Sequence, residues 1–182
     1  MALPASAEIV LFDLSPEGTS PATGLSPANT VPAATGTGSG DEILDGISLD
    51  TSTGLLSYAF AFGSQAGFTD LTGPATLLHV HGPAAVGATA GVLIDFDALG
   101  DYQPAGDPAQ GGIIFGSTTL TPGQVTEMRN GLYYVNIHTD ANPAGEIRGQ
   151  LIEVLGNMPP TIVCPDPVTL ECTSLNGELL SL

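Results

Sequence analysis

Apolar and polar residues alternate with period two along most of this chain, which predicts strands. Glu8 to Leu14 reads as a first strand. Ser15 to Gly40 is rich in Ser, Pro, Thr, Gly and Ala and reads as a long loop or extended edge. Ile43 to Leu49 and Leu55 to Phe62 flank a turn at Asp50-Thr51-Ser52-Thr53-Gly54 and form a hairpin. Further strands fall at Leu77 to His81, at Gly91 to Phe96 and from Gly112 to Phe115. Asp95 to Gln110 reads as a polar, Pro-containing loop. One helix is expected, with Thr121 as N-cap, Pro122 in its first position and Gly131 at its stop. Leu132 to Thr139 and Glu146 to Val154 are the last strands. The expected fold is all-β: a Greek-key-like β-sandwich of seven to eight strands with one short helix.

Strand parity adds a second layer to this reading. Leu78 and Val80 share a face, and His79 and His81 point the other way. Tyr133, Val135 and Ile137 share a face, opposite Tyr134, Asn136 and His138. Ile147, Gly149 and Leu151 oppose Glu146, Arg148 and Gln150. If the apolar faces make the core, all three histidines of the chain lie on the other side, beside Asn136, Glu146 and Arg148. Three imidazoles from two strands suit copper or zinc, with Glu146 as a fourth ligand or a supporting group. The alternative is a hydrogen-bonded belt in which the histidines bond to Asn136, Glu146 and Arg148 and brace neighbouring strands. Glu146 and Arg148, two apart, are expected to form an ion pair.

Composition narrows the function classes. Nineteen acidic residues face only two basic ones, for a formal net charge of −17. Nucleic-acid partners are excluded on that ground, because phosphate binding needs clustered Lys or Arg. An anionic membrane surface is disfavoured likewise. No stretch approaches the roughly 20 apolar residues of a membrane span. Only 12% of residues are charged, and the small residues that replace them fit an extracellular strand-and-turn protein. Asp95, Asp97, Asp101 and Asp107 could offer oxygens to calcium, but their spacing is not that of an EF-hand loop, and a solvated acidic loop is the better reading. No nucleophile elbow or phosphate loop appears, and aromatic residues are few, so no enzymatic activity is expected. Cys164 and Cys172 lie close together with no nearby histidine and read as a local disulfide, which implies an oxidising compartment.

Ala75-Thr76-Leu77-Leu78-His79-Val80-His81-Gly82-Pro83-Ala84, then Leu120-Thr121 with Gly131, resemble the CHRD (chordin-type) domain. So does Tyr134-Val135-Asn136-Ile137-His138-Thr139 followed by Asn142-Pro143-Ala144-Gly145-Glu146-Ile147-Arg148-Gly149-Gln150. The resemblance covers roughly residues 8–154 and implies an extracellular all-β module without a settled enzymatic role. The acidic, cysteine-poor composition points to a secreted or cell-surface protein of bacterial type. Cys164, Cys172 and the residues around them resemble the opening of a HYR-type immunoglobulin-like module. The expected organisation is therefore a leader remnant or tag at 1–7, a CHRD-like domain at 8–156, and a linker with a partial immunoglobulin-like tail at 157–182. Two functional readings follow. One is a structural or adhesive module that pairs with its own copies or with other extracellular proteins through strand addition by the tail. The other is a copper- or zinc-binding module using His79, His81 and His138.

Overall fold

The computed structural model describes residues 8–154. The expected leader, tail and Cys164–Cys172 pair lie outside the described residues. Nine strands form one antiparallel sheet: β1 (Ile9–Leu14), β2 (Gly40–Asp50), β3 (Leu55–Phe62), β4 (Ala75–His81), β5 (Val92–Asp95), β6 (Tyr102–Pro104), β7 (Gly112–Thr119), β8 (Tyr133–Thr139) and β9 (Ile147–Val154). Their order across the sheet is β5-β4-β8-β9-β1-β2-β3-β7-β6. Helix α1 (Phe96–Leu99) joins β5 to β6, and α2 (Pro122–Arg129) precedes β8. The all-β fold is as the alternation predicts. Hydrogen bonding runs without a break through all nine strands, so the core lies inside one curled sheet.

The curl follows from two observations. β5 and β6 sit at opposite ends of the sheet, yet only the short α1 segment separates them in sequence. Chain reach then forces the two ends together. Phe96 of α1 is buried in the seam, edge-on to Tyr58 and Phe60 at 5.1 and 5.4 Å. One face of every long strand contributes to a single core, with Phe12, Leu49, Phe60, Leu78, Ile114, Val135 and Leu151 among its members. Both edges are short and β6 ends in Pro104, so they offer little template for pairing with another chain.

Two stretches of the chain differ from the sequence-based expectation. The acidic stretch after Asp95 is not one loop: it holds α1 and β6. β2 is longer than expected and carries a bulge between Glu42 and Ile47, where Leu44 and Gly46 adopt positive φ of 55° and 68°. The 15–39 segment matches expectation except for one 3-10 turn at Pro27–Asn29.

Candidate metal centre

β4 and β8 are neighbours, and their register sets the site. His79 stands opposite Asn136 and His81 opposite Tyr134, which places His138 diagonally beside His79 on the same face. Ring centroids lie 5.4 Å apart for His79 and His81, 5.2 Å for His79 and His138, and 5.8 Å for His81 and His138. One nitrogen from each ring lies within 4.8 Å of the other two. Among the described residues this is the one such gathering of His, Cys, Asp or Glu side chains.

Parity puts the histidines on the side away from the apolar core, but that side is not solvent. Their exposures are 6%, 8% and 6% for His79, His81 and His138. All seven residues of β8 are buried. The cover is a loop over residues 84–90, tied down by polar side chains of the sheet. Arg148 Nη1 donates to Ala88 O at 2.8 Å, and Gln150 Nε2 to Ala84 O at 2.8 Å. His81 Nδ1 meets Ala90 O at 3.0 Å, and the Ala90 N–H donates to the Tyr134 hydroxyl at 3.1 Å. The turn after β8 closes the other flank: His138 Nδ1 meets Pro143 O at 3.0 Å, and Asn136 Nδ2 donates to Ala144 O at 3.1 Å. Gly145 fits this turn because it has φ of 121°, and a Cβ there would sit 2.1 Å from Asn136 Oδ1.

These bonds orient the rings. A carbonyl can only accept, so His81 and His138 carry their protons on Nδ1 and turn Nε2 inward as a lone pair. His81 Nε2 and His79 Nδ1 are buried without a hydrogen-bond partner among the described residues. His138 Nε2 has only the Asn136 amide, at 3.3 Å. Burial, and the proximity of the other histidines, lower the pKa of His81 and His138. Both rings are therefore neutral at pH 7, the form a metal requires. A zinc–nitrogen bond of about 2.0–2.1 Å places tetrahedral ligands roughly 3.3 Å apart, so nitrogens that lie within 4.8 Å of one another would draw together by at most about 1.5 Å per pair on an ion. The donor type and number fit copper or zinc.

The other expected residues divide. Asn136 stands within the cluster. Glu146 does not: it is fully buried, and neither of its oxygens joins the group of close ligand atoms. Oε1 accepts from the Thr72 N–H, the Thr72 hydroxyl and the Thr37 N–H at 2.6, 2.8 and 3.3 Å. Oε2 accepts from the Thr139 hydroxyl and from Asn142 Nδ2 at 2.6 and 3.1 Å. Burial acts to raise its pKa, and these bonds outweigh it and hold the carboxyl below its usual range. The expected Glu146–Arg148 ion pair is not made. Glu146 precedes β9 instead of belonging to it, so strand parity does not place it. Arg148 has no carboxylate within 4.0 Å among the described residues; its guanidinium stacks 3.5 Å from the Tyr134 ring centroid, and Tyr134 stacks on His81. Of the belt reading, only the Asn136–His138 contact is present. The four aspartates of the calcium reading do not gather: Asp95 caps α1, Asp101 accepts the Tyr58 hydroxyl, and Asp107 accepts the Ala109 N–H.

Nothing in the sequence marks Thr37 and Thr72 as partners of the carboxylate that Thr139 also meets, because they lie 109 and 74 residues from Glu146. Comparison with known families finds the CHRD domain over residues 22–151. No curated protein matches the chain. No solved structure matches it either.

Proposed function

This chain belongs to the CHRD domain family, and we propose that it is a secreted, non-enzymatic β module that binds copper or zinc through His79, His81 and His138. The observation that carries the proposal is the pair of buried ring nitrogens without partners, His79 Nδ1 and His81 Nε2. Buried polar atoms in folded proteins are nearly all hydrogen-bonded, so two ring nitrogens left without partners in one cluster, with Asn136 Oδ1 beside them, need a reason. An ion among the rings supplies it. A hydrogen-bonded belt does not, because it would leave those same atoms satisfied. With three protein ligands, a fourth position is left for water or an exogenous group. Extracellular display suits a chain of this family in which no described helix is long and apolar enough to cross a membrane.

The test is calorimetric titration of metal-stripped protein with Zn(II) and Cu(II), beside His79→Ala and His81→Ala. One ion per chain is expected for the wild type, with affinity reduced at least 100-fold in either variant. Equal, weak binding by all three proteins would remove the proposal. Assembly through residues 157–182 concerns residues outside the described part of the chain and forms no part of the proposal.

A further inference from the structure

Asp95 is the last residue of β5 and stands directly opposite His79 in the ladder. Its two carboxylate oxygens face different ways. Oδ1 accepts the Ala98 N–H at 3.0 Å and caps α1. Oδ2 lies 3.9 Å from His79 Nε2. The opposite nitrogen of that ring, Nδ1, is the buried atom without a partner. His79 faces its acceptor in the reverse sense to its neighbours. His81 and His138 each meet a backbone carbonyl through Nδ1 at 3.0 Å, whereas the Asp95 carboxylate lies on the Nε2 side of His79, at 3.9 Å and beyond hydrogen-bond length.

We infer that Asp95 is a positioning residue for the histidine cluster: it draws the Nε2 proton of His79, keeps Nδ1 as a lone pair, and so makes the ligand set one Nδ1 and two Nε2. The carboxylate is not itself a ligand, since it falls outside the group whose ligand atoms lie mutually within 4.8 Å. It stands one step behind the ring, where a carboxylate fixes the tautomer and increases the basicity of a ligating imidazole. At 3.9 Å the carboxylate acts on the Nε2 proton through its charge. The helix cap keeps Oδ2 on that side of the ring, because Oδ1 is already committed to Ala98. The consequence for metal affinity rests on the proposed metal site; the tautomer does not.

The decisive variant is Asp95→Asn. It is isosteric and keeps an oxygen for the Ala98 N–H. Its amide, however, presents a donor to His79 Nε2, which moves the ring proton to Nδ1. Asp95→Ser keeps a good N-cap and does not reach the ring, so it controls for the helix. Long-range proton–nitrogen correlation spectra at pH 8 read the tautomers of the metal-free protein, and a zinc titration reads affinity. The wild type should show His79 protonated on Nε2 and the other two on Nδ1. Asp95→Asn should show all three on Nδ1 and bind zinc 10–100-fold more weakly, and Asp95→Ser should lose less. A wild-type His79 protonated on Nδ1 would overturn the inference, as would wild-type affinity in Asp95→Asn. The expected tautomers together with no zinc binding in the wild type would support Asp95 as the positioning residue and remove the metal reading alone.

Discussion

Glu146 and Arg148, two residues apart, show how far one side chain can depart from what its spacing suggests. The carboxylate anchors three separate segments through Thr37, Thr72 and Thr139. The guanidinium holds the loop over residues 84–90 against the sheet. Glu146→Gln keeps one accepting oxygen and sets an amide against the Asn142 amide. A loss of about 2–3 kcal/mol is expected, read by urea unfolding at pH 7. Because the folded carboxyl titrates below its unfolded value of 4.5, the stability it adds is complete above pH 4.5. It is lost as the pH falls through the folded value. The acid limb of the wild-type stability curve should therefore flatten in Glu146→Gln, and a parallel curve would contradict this assignment. Parity made the histidine cluster legible in the sequence, because alternation fixes faces. It could not show what covers a face. The cover is the loop over residues 84–90, whose hydrogen bonds span 66 residues to Gln150 and 60 to Arg148.

At the scale of elements, local signals were strongest where capping chemistry was present. Thr121 caps α2 in a complete capping box with Gln124, with Pro122 behind it. Thr121→Ala should cost about 1 kcal/mol in thermal or urea unfolding and leave zinc affinity unchanged, since α2 lies outside the cluster. A drop in affinity would couple the helix to the site. α1 and β6 were hidden because each is only one turn or three residues long, set in an acidic, Pro-containing stretch. Their existence depends on the sheet curling until its ends meet, a long-range condition that no local window contains. β1 carries a related lesson: it lies between β9 and β2 in mid-sheet, although the family match begins only at residue 22. The strand alternation at Ile9–Leu14 was clear in the sequence, and its pairing with both neighbours makes it part of the same unit.

For the whole molecule, the large acidic excess crowds carboxylates together in places, and Glu42 is affected strongly. Glu42, in the bulged strand β2, accepts from the Leu14 N–H beside Asp41. Burial, and then the neighbouring Asp41, raise its pKa from 4.5 to about 8. A raised carboxyl adds stability that is complete below pH 4.5 and is lost as the pH rises through about 8. Glu42→Gln removes that dependence. With the side chain partly exposed and screened, the variant should match the wild type near pH 4 and be about 1–2 kcal/mol more stable at pH 9. An offset independent of pH would show that Glu42 titrates normally. The central claim concerns the other polar cluster, and X-ray absorption at the zinc edge of the stoichiometrically loaded protein tests it most directly. Three imidazole nitrogens at about 2.0–2.1 Å are predicted around the ion. A first shell of oxygens alone, with no imidazole scattering, would contradict the assignment of His79, His81 and His138 as its ligands.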